Sequence, residues 1–150
     1  MLENRSQEGG RTIELFVAVL PAQARSTRPD PLVLLAGGPG QGASEAFGPL
    51  LATFGSLPQD RDVVLLDQRG TGRSAPLACD AHADDLARAF EADSFSRVAA
   101  ECRPTLDADL SHYSTPIAAD DLDQVRAALG YEQLNLVGMS YGTRLGLVYL

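Results

Sequence analysis

The sequence lacks lysine and tryptophan altogether, and its 150 residues include only two cysteines and two histidines. All 12 basic residues are therefore arginines, and they are scattered along the chain. With a formal net charge of −8 and no basic cluster, we expect no nucleic-acid partner. Apolar runs are also short. None approaches the roughly 20 residues needed to cross a bilayer, so we expect no membrane span.

The two cysteines, Cys79 and Cys102, are too few for a zinc site without support from histidine. His82 and His112 lack the paired spacing of metal ligands, so we expect no metal. We favour a disulfide between the cysteines, with two buried free thiols as the alternative. A bridge would contribute roughly 3 kcal/mol to stability and would indicate an exported, periplasmic or extracellular protein. Residues 1–5 carry no signal peptide, so we expect any export signal to have been removed.

Three short apolar runs predict central strands. Leu32–Ala36 and Val63–Leu66 are continuous and are bounded by glycine, proline or aspartate, and Leu134–Val137 is interrupted only by Asn135. Such runs suit parallel strands that are covered by helices on both faces. The segment from Thr12 to Leu20 begins with alternating apolar and polar residues, which predicts a strand with one exposed face.

Helical stretches lie between these runs. One helical face is formed by Ala118, Leu122, Val125 and Leu129, and we predict Thr115 as its N-cap, Pro116 as its first residue and Gly130 as its end. His82 to about Arg103 is also prone to form helix, with a break near Ser94. This order of elements predicts an α/β fold. We expect residues 1–150 to form the N-terminal portion of one domain, because the chain stops within the helical pattern that starts at Ser140.

The motif that carries the chemistry is G-x-S-x-G at Gly138–Gly142. In a nucleophile elbow the serine stands on a tight turn from strand to helix, and glycines on both sides permit the crowding. The pattern is weak in isolation. Here it follows an apolar run and precedes a helical pattern, which is the context that an elbow requires. We predict Ser140 as the nucleophile, on a backbone with positive φ or other strain.

A second motif, Ala36-Gly37-Gly38-Pro39-Gly40, follows the strand that starts at Leu32. Acyl transfer needs two preorganised N–H donors for the oxyanion. We predict that Tyr141 supplies one donor and Gly38 the other, with Gly37, Pro39 and Gly40 shaping the loop. The alternative is a plain glycine–proline turn.

A third motif, D-Q-R-G-T-G-R-S, occupies Asp67–Ser74 after the strand at Val63. Its glycines allow a sharp turn beside the site. We predict that Asp67 and Arg69 pin this loop through charge-assisted hydrogen bonds and take no part in the reaction itself.

These three motifs, in this order, resemble those of the proline iminopeptidases and tripeptidyl aminopeptidases, a peptidase family within the α/β-hydrolase fold. The resemblance covers about residues 12–150. Iminopeptidases usually have histidine before Gly-Gly-Pro-Gly, and Ala36 stands there in this chain, which favours the tripeptidyl aminopeptidase branch. Members of that branch are commonly exported.

The resemblance implies a serine hydrolase that removes residues from peptide N-termini through an acyl-enzyme on Ser140, without a cofactor. The substrate would be a peptide or a small acyl compound, and the oligomeric state is not indicated. In this fold the catalytic acid and histidine follow the serine, and none of residues 141–150 is His, Asp or Glu. We therefore expect the 150-residue chain alone to be inactive.

Three alternatives stay open. One is an esterase of the same fold that acts on small esters. Another is a relative that binds ligands without catalysis. The third is a dinucleotide-binding domain, because Gly38–Ala43 fits G-x-G-x-x-A after a strand and Asp67 ends the next one. Against the third, Pro39 removes a backbone donor from the loop and Pro49 is expected to interrupt the following helix.

Overall fold

The computed structural model describes residues 1–54, 59–79 and 93–150. Four strands and four α-helices lie within these ranges: β1 (Val17–Leu20), β2 (Leu32–Leu35), α1 (Ala43–Phe54), β3 (Val63–Leu66), α2 (Ser94–Cys102), α3 (Thr115–Ala128), β4 (Asn135–Gly138) and α4 (Tyr141–Tyr149). Two short 3-10 helices, Arg103–Thr105 and Leu110–His112, lie between α2 and α3.

The strands form one mostly parallel sheet in the order β1-β3-β2-β4. Strand β2 lies at its centre and is parallel to both β3 and β4, so that Val33 is paired with Val64 on one side and Leu136 on the other. Strand β1 is antiparallel to β3. The three predicted strands and their parallel pairing are therefore confirmed, but among the described strands only β2 and β3 are central, because β4 lies at an edge of the sheet. The carboxyl ends of β2, β3 and β4 lie at the same end of the sheet.

Helices cover both faces of this sheet, as predicted. Successive residues of a strand point to opposite faces, so β2 and β3 feed two separate apolar clusters. One cluster contains Val33, Leu35, Val64 and Leu66 with residues of α3 and Leu145 of α4. The other contains Leu34, Ala36, Val63 and Leu65 with Ala43 and Phe47 of α1. This double covering explains why β2 and β3 are apolar throughout.

The first strand is shorter than predicted. Pairing with β3 begins only at Val17, whereas Thr12 forms an isolated bridge with Leu2. Between them the chain bonds to a loop instead: the Phe16 amide donates to Ser74 Oγ at 2.8 Å, and the Phe16 carbonyl accepts from the Asp67 amide at 3.1 Å. The Phe16 amide is thus bonded to the Ser74 hydroxyl, and the ladder with β3 is limited to Val17–Leu20.

Helix α3 begins one residue earlier than predicted. Its N-cap is Ser114, with extended backbone angles (φ −113°, ψ 159°), so Thr115 is the first helical residue and Pro116 the second. The predicted end is confirmed. Gly130 has φ of 80°, its amide donates to Ala127 O, and the next amide donates to Arg126 O, which is a Schellman motif.

The expected break in α1 is also wrong, because that helix continues through Pro49. Proline lacks an amide hydrogen and disfavours a helix interior. Here the helix nevertheless extends to Phe54, and Phe47 and Ala43 on its inner face are buried against the sheet.

The described residues divide into two compact units. One comprises Met1–Pro76 and Ser111–Leu150 and contains the sheet, and the other comprises Leu77–Leu110. In the second unit Cys79 and Cys102 are joined by a disulfide with an S–S distance of 2.04 Å, the pairing favoured from the sequence. Helix α2 begins at Ser94, where a break was expected, while the earlier part of that predicted helix, with His82, lies outside the described residues. Across the described ranges no helix is long and apolar enough to cross a membrane.

Candidate active site

Ser140 lies on the turn between β4 and α4, with φ of 50° and ψ of −118°. Positive φ is rare for residues other than glycine and is concentrated at active sites. The residue is exposed. The predicted geometry of a strained serine on a strand-to-helix turn is therefore present.

The glycines that flank Ser140 are required by close backbone contacts. A Cβ on Gly138 would lie 2.6 Å from the carbonyl carbon of Gly142. A Cβ on Gly142 would overlap Leu35 O and would lie 2.8 Å from Ala36 O. The turn is also fastened to β2, because the Met139 amide donates to Leu35 O at 3.1 Å. No side chain can replace either glycine without moving backbone.

The hydrogen bonds at the start of α4 involve the backbone of the elbow itself. Ser140 O accepts from the Thr143 amide at 3.0 Å and from Thr143 Oγ1 at 2.6 Å. Tyr141 is the first residue of the helix, so its amide has no hydrogen-bond acceptor within the helix. The start of a helix also carries partial positive charge. These features favour an anionic group beside Ser140.

The glycine-rich loop after β2 lies directly against the serine. A Cβ on Gly37 would be 3.2 Å from Ser140 Cβ and 3.7 Å from Ser140 Oγ, and Gly37 is buried. Gly38 and Gly40 have φ of 101° and 103°, which glycine adopts readily. Pro39, between them, is exposed. The structure thus brings together two of the three predicted motifs.

Asp67 joins the third motif to the start of α1. Its carboxylate is fully buried and accepts from the amide and hydroxyl of Ser44, each at 2.7 Å, and from the Arg73 amide at 3.0 Å. The loop packs so tightly here that a Cβ on Gly72 would overlap Asp67 Oδ2. Asp67 has the pinning geometry that the sequence analysis expected, and Ser44 was not foreseen.

Arg69 forms a buried ion pair with helix α3. Its Nε and Nη2 donate to the two carboxylate oxygens of Asp121 at 2.5 and 2.7 Å, and both side chains are 1% exposed. Nη1 donates to the carbonyls of Glu3 and His112, each at 2.9 Å. Such bidentate arginine–carboxylate pairs are the strong class of protein hydrogen bond. Arg69 therefore fastens its loop to α3 and to the N-terminal segment.

Several members of this network were missed by the sequence analysis. Arg5 also pairs with Asp121, and Tyr113 donates to Glu3 Oε1 at 2.8 Å. Burial and the Glu3 carboxylate raise the pKa of Tyr113 to about 12. Asp121 was detectable, because it lies three residues after Ala118 on the predicted buried face. Glu3 and Arg5 carried no such signal.

No group of three or more His, Cys, Asp and Glu side chains comes together as a metal site in the described part of the chain. Cys79 and Cys102 are joined to each other in the disulfide. At the elbow itself, the structure places the Ser140 hydroxyl beside the backbone amides at the start of α4.

A comparison with known families agrees with this geometry, since the alpha/beta hydrolase fold family matches residues 30–150. The chain belongs to the α/β-hydrolase family. It is 38% identical to the tripeptidyl aminopeptidase of Streptomyces lividans over 142 residues, which cover 83% of this chain and 26% of that protein. It is 36% identical to the serine protease Hip1 of Mycobacterium tuberculosis over 137 residues, which cover 79% of this chain and 26% of that protein.

Among solved structures, the proline iminopeptidase of Mycobacterium smegmatis has the same fold, with a TM-score of 0.59. The two chains are 24% identical, and the match covers 91% of this chain and 36% of that one. Compared with the tripeptidyl aminopeptidase and the serine protease Hip1, the chain spans about a quarter of the length of each protein.

Family membership replaces the dinucleotide-binding interpretation. The contacts of Asp67 supply a physical reason: its carboxylate is buried and accepts hydrogen bonds from Ser44 and Arg73. A ribose contact needs an accessible acidic side chain at the end of that strand.

Proposed function

We propose that Ser140 is the nucleophile of a serine hydrolase that cleaves residues from peptide N-termini. The observation that carries this proposal is the exposed, positive-φ serine between β4 and α4, with Gly37 packed against it. The resemblance to tripeptidyl aminopeptidase and to a serine protease supports the peptidase assignment.

In the proposed reaction, Ser140 Oγ loses its proton to a histidine base and attacks the substrate carbonyl carbon. The carbonyl oxygen becomes an oxyanion, which accepts hydrogen bonds from the amides of Tyr141 and Gly38. Collapse of the tetrahedral intermediate expels the amine, which receives the proton from the base. Water then hydrolyses the acyl-enzyme by the same route, and no cofactor takes part.

We propose that the base and its acidic partner lie in a longer protein of which residues 1–150 are the N-terminal portion of the catalytic domain. In this fold both follow the nucleophile, and residues 141–150 include no His, Asp or Glu. Loss of a triad member costs several orders of magnitude in rate. The 150-residue chain alone should therefore be inactive.

Export of the protein is a further part of the proposal. The disulfide between Cys79 and Cys102 supports it, because disulfides persist mainly in oxidising compartments.

The test compares tripeptidyl and aminoacyl p-nitroanilides with short p-nitrophenyl esters as substrates of the full-length protein, beside Ser140→Ala and the 150-residue chain. We expect kcat/KM to be highest on the peptide substrates, with no effect of EDTA. Turnover of esters alone would replace the peptidase by an esterase. Turnover that survives Ser140→Ala, or none by the wild type, would reject the proposal.

A further inference from the structure

The hydroxyl of Tyr141 reaches from the elbow to helix α3. Tyr141 Oη lies 2.7 Å from Oγ1 of Thr115, and both residues are half-buried. Tyr141 is the first residue of α4, and Thr115 is the first residue of α3. One hydrogen bond therefore joins the starts of these two helices, beside Ser140.

Helix α3 offers a fixed anchor for this contact. Asp121 lies six residues after Thr115, about 9 Å along the helix at 1.5 Å per residue, and Arg69 holds both of its carboxylate oxygens. Leu122 and Val125 pack in the core against β2 and β3. The position of Thr115 is thus set by the sheet and the Asp67–Ser74 loop, independently of Tyr141.

The peptide group between Ser140 and Tyr141 is planar, so its carbonyl and its N–H point in opposite directions. The carbonyl is held by two hydrogen bonds from Thr143. The amide side of the same group continues into Tyr141, whose side chain is held by Thr115. The orientation of this peptide group is therefore fixed at its carbonyl by Thr143, and it is restrained at its amide by the Tyr141 side chain that Thr115 holds.

We infer that Thr115 is a positioning residue that holds the Tyr141 amide in the direction of the oxyanion. This inference rests on the proposed function, in which that amide is an oxyanion donor. Donors act in the transition state only when they lie at hydrogen-bond distance from the developing oxyanion. Thr115 acts through the phenol of Tyr141 and does not touch the substrate.

The test uses the full-length protein with Thr115→Val, which removes the hydroxyl at nearly constant volume, and Thr115→Ser, which keeps it. Tyr141→Phe removes the other partner, and the double variant Thr115→Val/Tyr141→Phe completes a cycle. Thr12→Val, at an exposed threonine in the N-terminal segment, is the matched control.

We expect Thr115→Val to lower kcat about 10-fold with KM unchanged, because the donor acts only in the transition state. Tyr141→Phe should cause the same loss, the double variant no further loss, and Thr115→Ser should restore most of kcat. Affinity for a peptide boronic acid, which forms a tetrahedral adduct on serine, should fall by the same factor as kcat. A merely structural contact would not produce this split.

Wild-type kcat in Thr115→Val, losses that multiply in the double variant, or equal losses in Thr115→Ser and Thr115→Val would overturn the inference. If Thr115→Val does not fold, Tyr141→Phe and Thr115→Ser decide it by the same criteria. Ser140→Ala is measured in parallel. Turnover by Ser140→Ala would reject the proposed function. If Ser140→Ala is inactive and Thr115→Val has the wild-type kcat, only the role of Thr115 is rejected.

Discussion

The two ends of the parallel strands are both polar, but they are held together in different ways. At the carboxyl ends, the elbow and the Gly37 loop meet through backbone crowding, and Asp67 and Arg69 are buried in charged hydrogen bonds. At the amino ends, Asp30 pairs with Arg61, and Asn135 donates to Asp30 Oδ2 at 2.9 Å. These groups remain partly exposed.

This difference distinguishes the candidate active site at the carboxyl ends from a purely structural contact at the amino ends. Partly exposed ion pairs contribute little and tolerate change, so the amino ends need only keep the strand starts aligned. Ligands bind at the carboxyl ends of the strands in open α/β sheets. There the strained backbone of Ser140 is held by close backbone contacts of the neighbouring glycines, which leave no room for a side chain. Substitutions at the two ends should therefore differ in size of effect.

The largest effect on stability is expected at Arg69. Arg69→Met should lower the free energy of unfolding of the full-length protein by about 3 kcal/mol, the lower end for a broken buried pair, because buried Asp121 loses its bidentate partner and keeps only Arg5. Urea unfolding measures this change. The control is Arg126→Met, whose partner Asp123 is more than half exposed. Because partly exposed ion pairs contribute little, this variant should leave the free energy of unfolding nearly unchanged. Equal losses in the two variants would show that the Arg69 network is no stronger than a surface pair.

A smaller loss is expected at Gly142. Gly142→Ala places a Cβ against Leu35 O and Ala36 O, so it should cost about 1–3 kcal/mol and should also lower kcat by displacing Ser140. Gly146→Ala is the matched control in the same helix, since its added Cβ would meet only Leu35 Cδ1 at 3.5 Å and Leu136 Cδ1 at 4.0 Å, which is ordinary van der Waals contact, and it should stabilise the fold by about 0.5–1 kcal/mol. If Gly142→Ala unfolds at the wild-type midpoint with full activity, the crowding argument is wrong.

The smallest effect is expected at the amino ends, and it depends on pH. Hydrogen bonds from Arg61 and Asn135 lower the pKa of Asp30 to about 2 from 3.8. A lowered folded-state pKa stabilises the fold above about pH 4, and this contribution is lost as the pH falls toward 2. In the Asp30→Asn variant, the midpoint of unfolding should therefore fall less between pH 4 and pH 2 than it does in the wild type. An unchanged decline would show that this pair does not contribute to acid sensitivity.

Local patterns in the sequence predicted much of the fold and the centre of the site. Apolar runs identified β2, β3 and β4, Gly130 marked the end of α3, and glycines around Ser140 marked the elbow. Each of these signals is contained in a few neighbouring residues.

The remainder depended on contacts between distant segments. Thr115 has the chemistry of an N-cap, but the structure pairs it with the Tyr141 hydroxyl and leaves Ser114 at the cap position. Glu3 and Arg5 are more than 100 residues from their partners Tyr113 and Asp121. Periodicity within one element cannot reveal such pairings, although it could have placed Asp121, three residues after Ala118, on the buried face of α3.

The most direct test of the nucleophile is covalent labelling of the full-length protein with a fluorophosphonate, followed by mass spectrometry of its peptides. An activated serine reacts at its Oγ, whereas an ordinary serine hydroxyl does not. We predict one modified residue, Ser140, with labelling abolished in Ser140→Ala and retained in Ser6→Ala, at an exposed serine of the N-terminal segment. Labelling that persists in Ser140→Ala, or its absence from active wild-type protein, would contradict the assignment of Ser140.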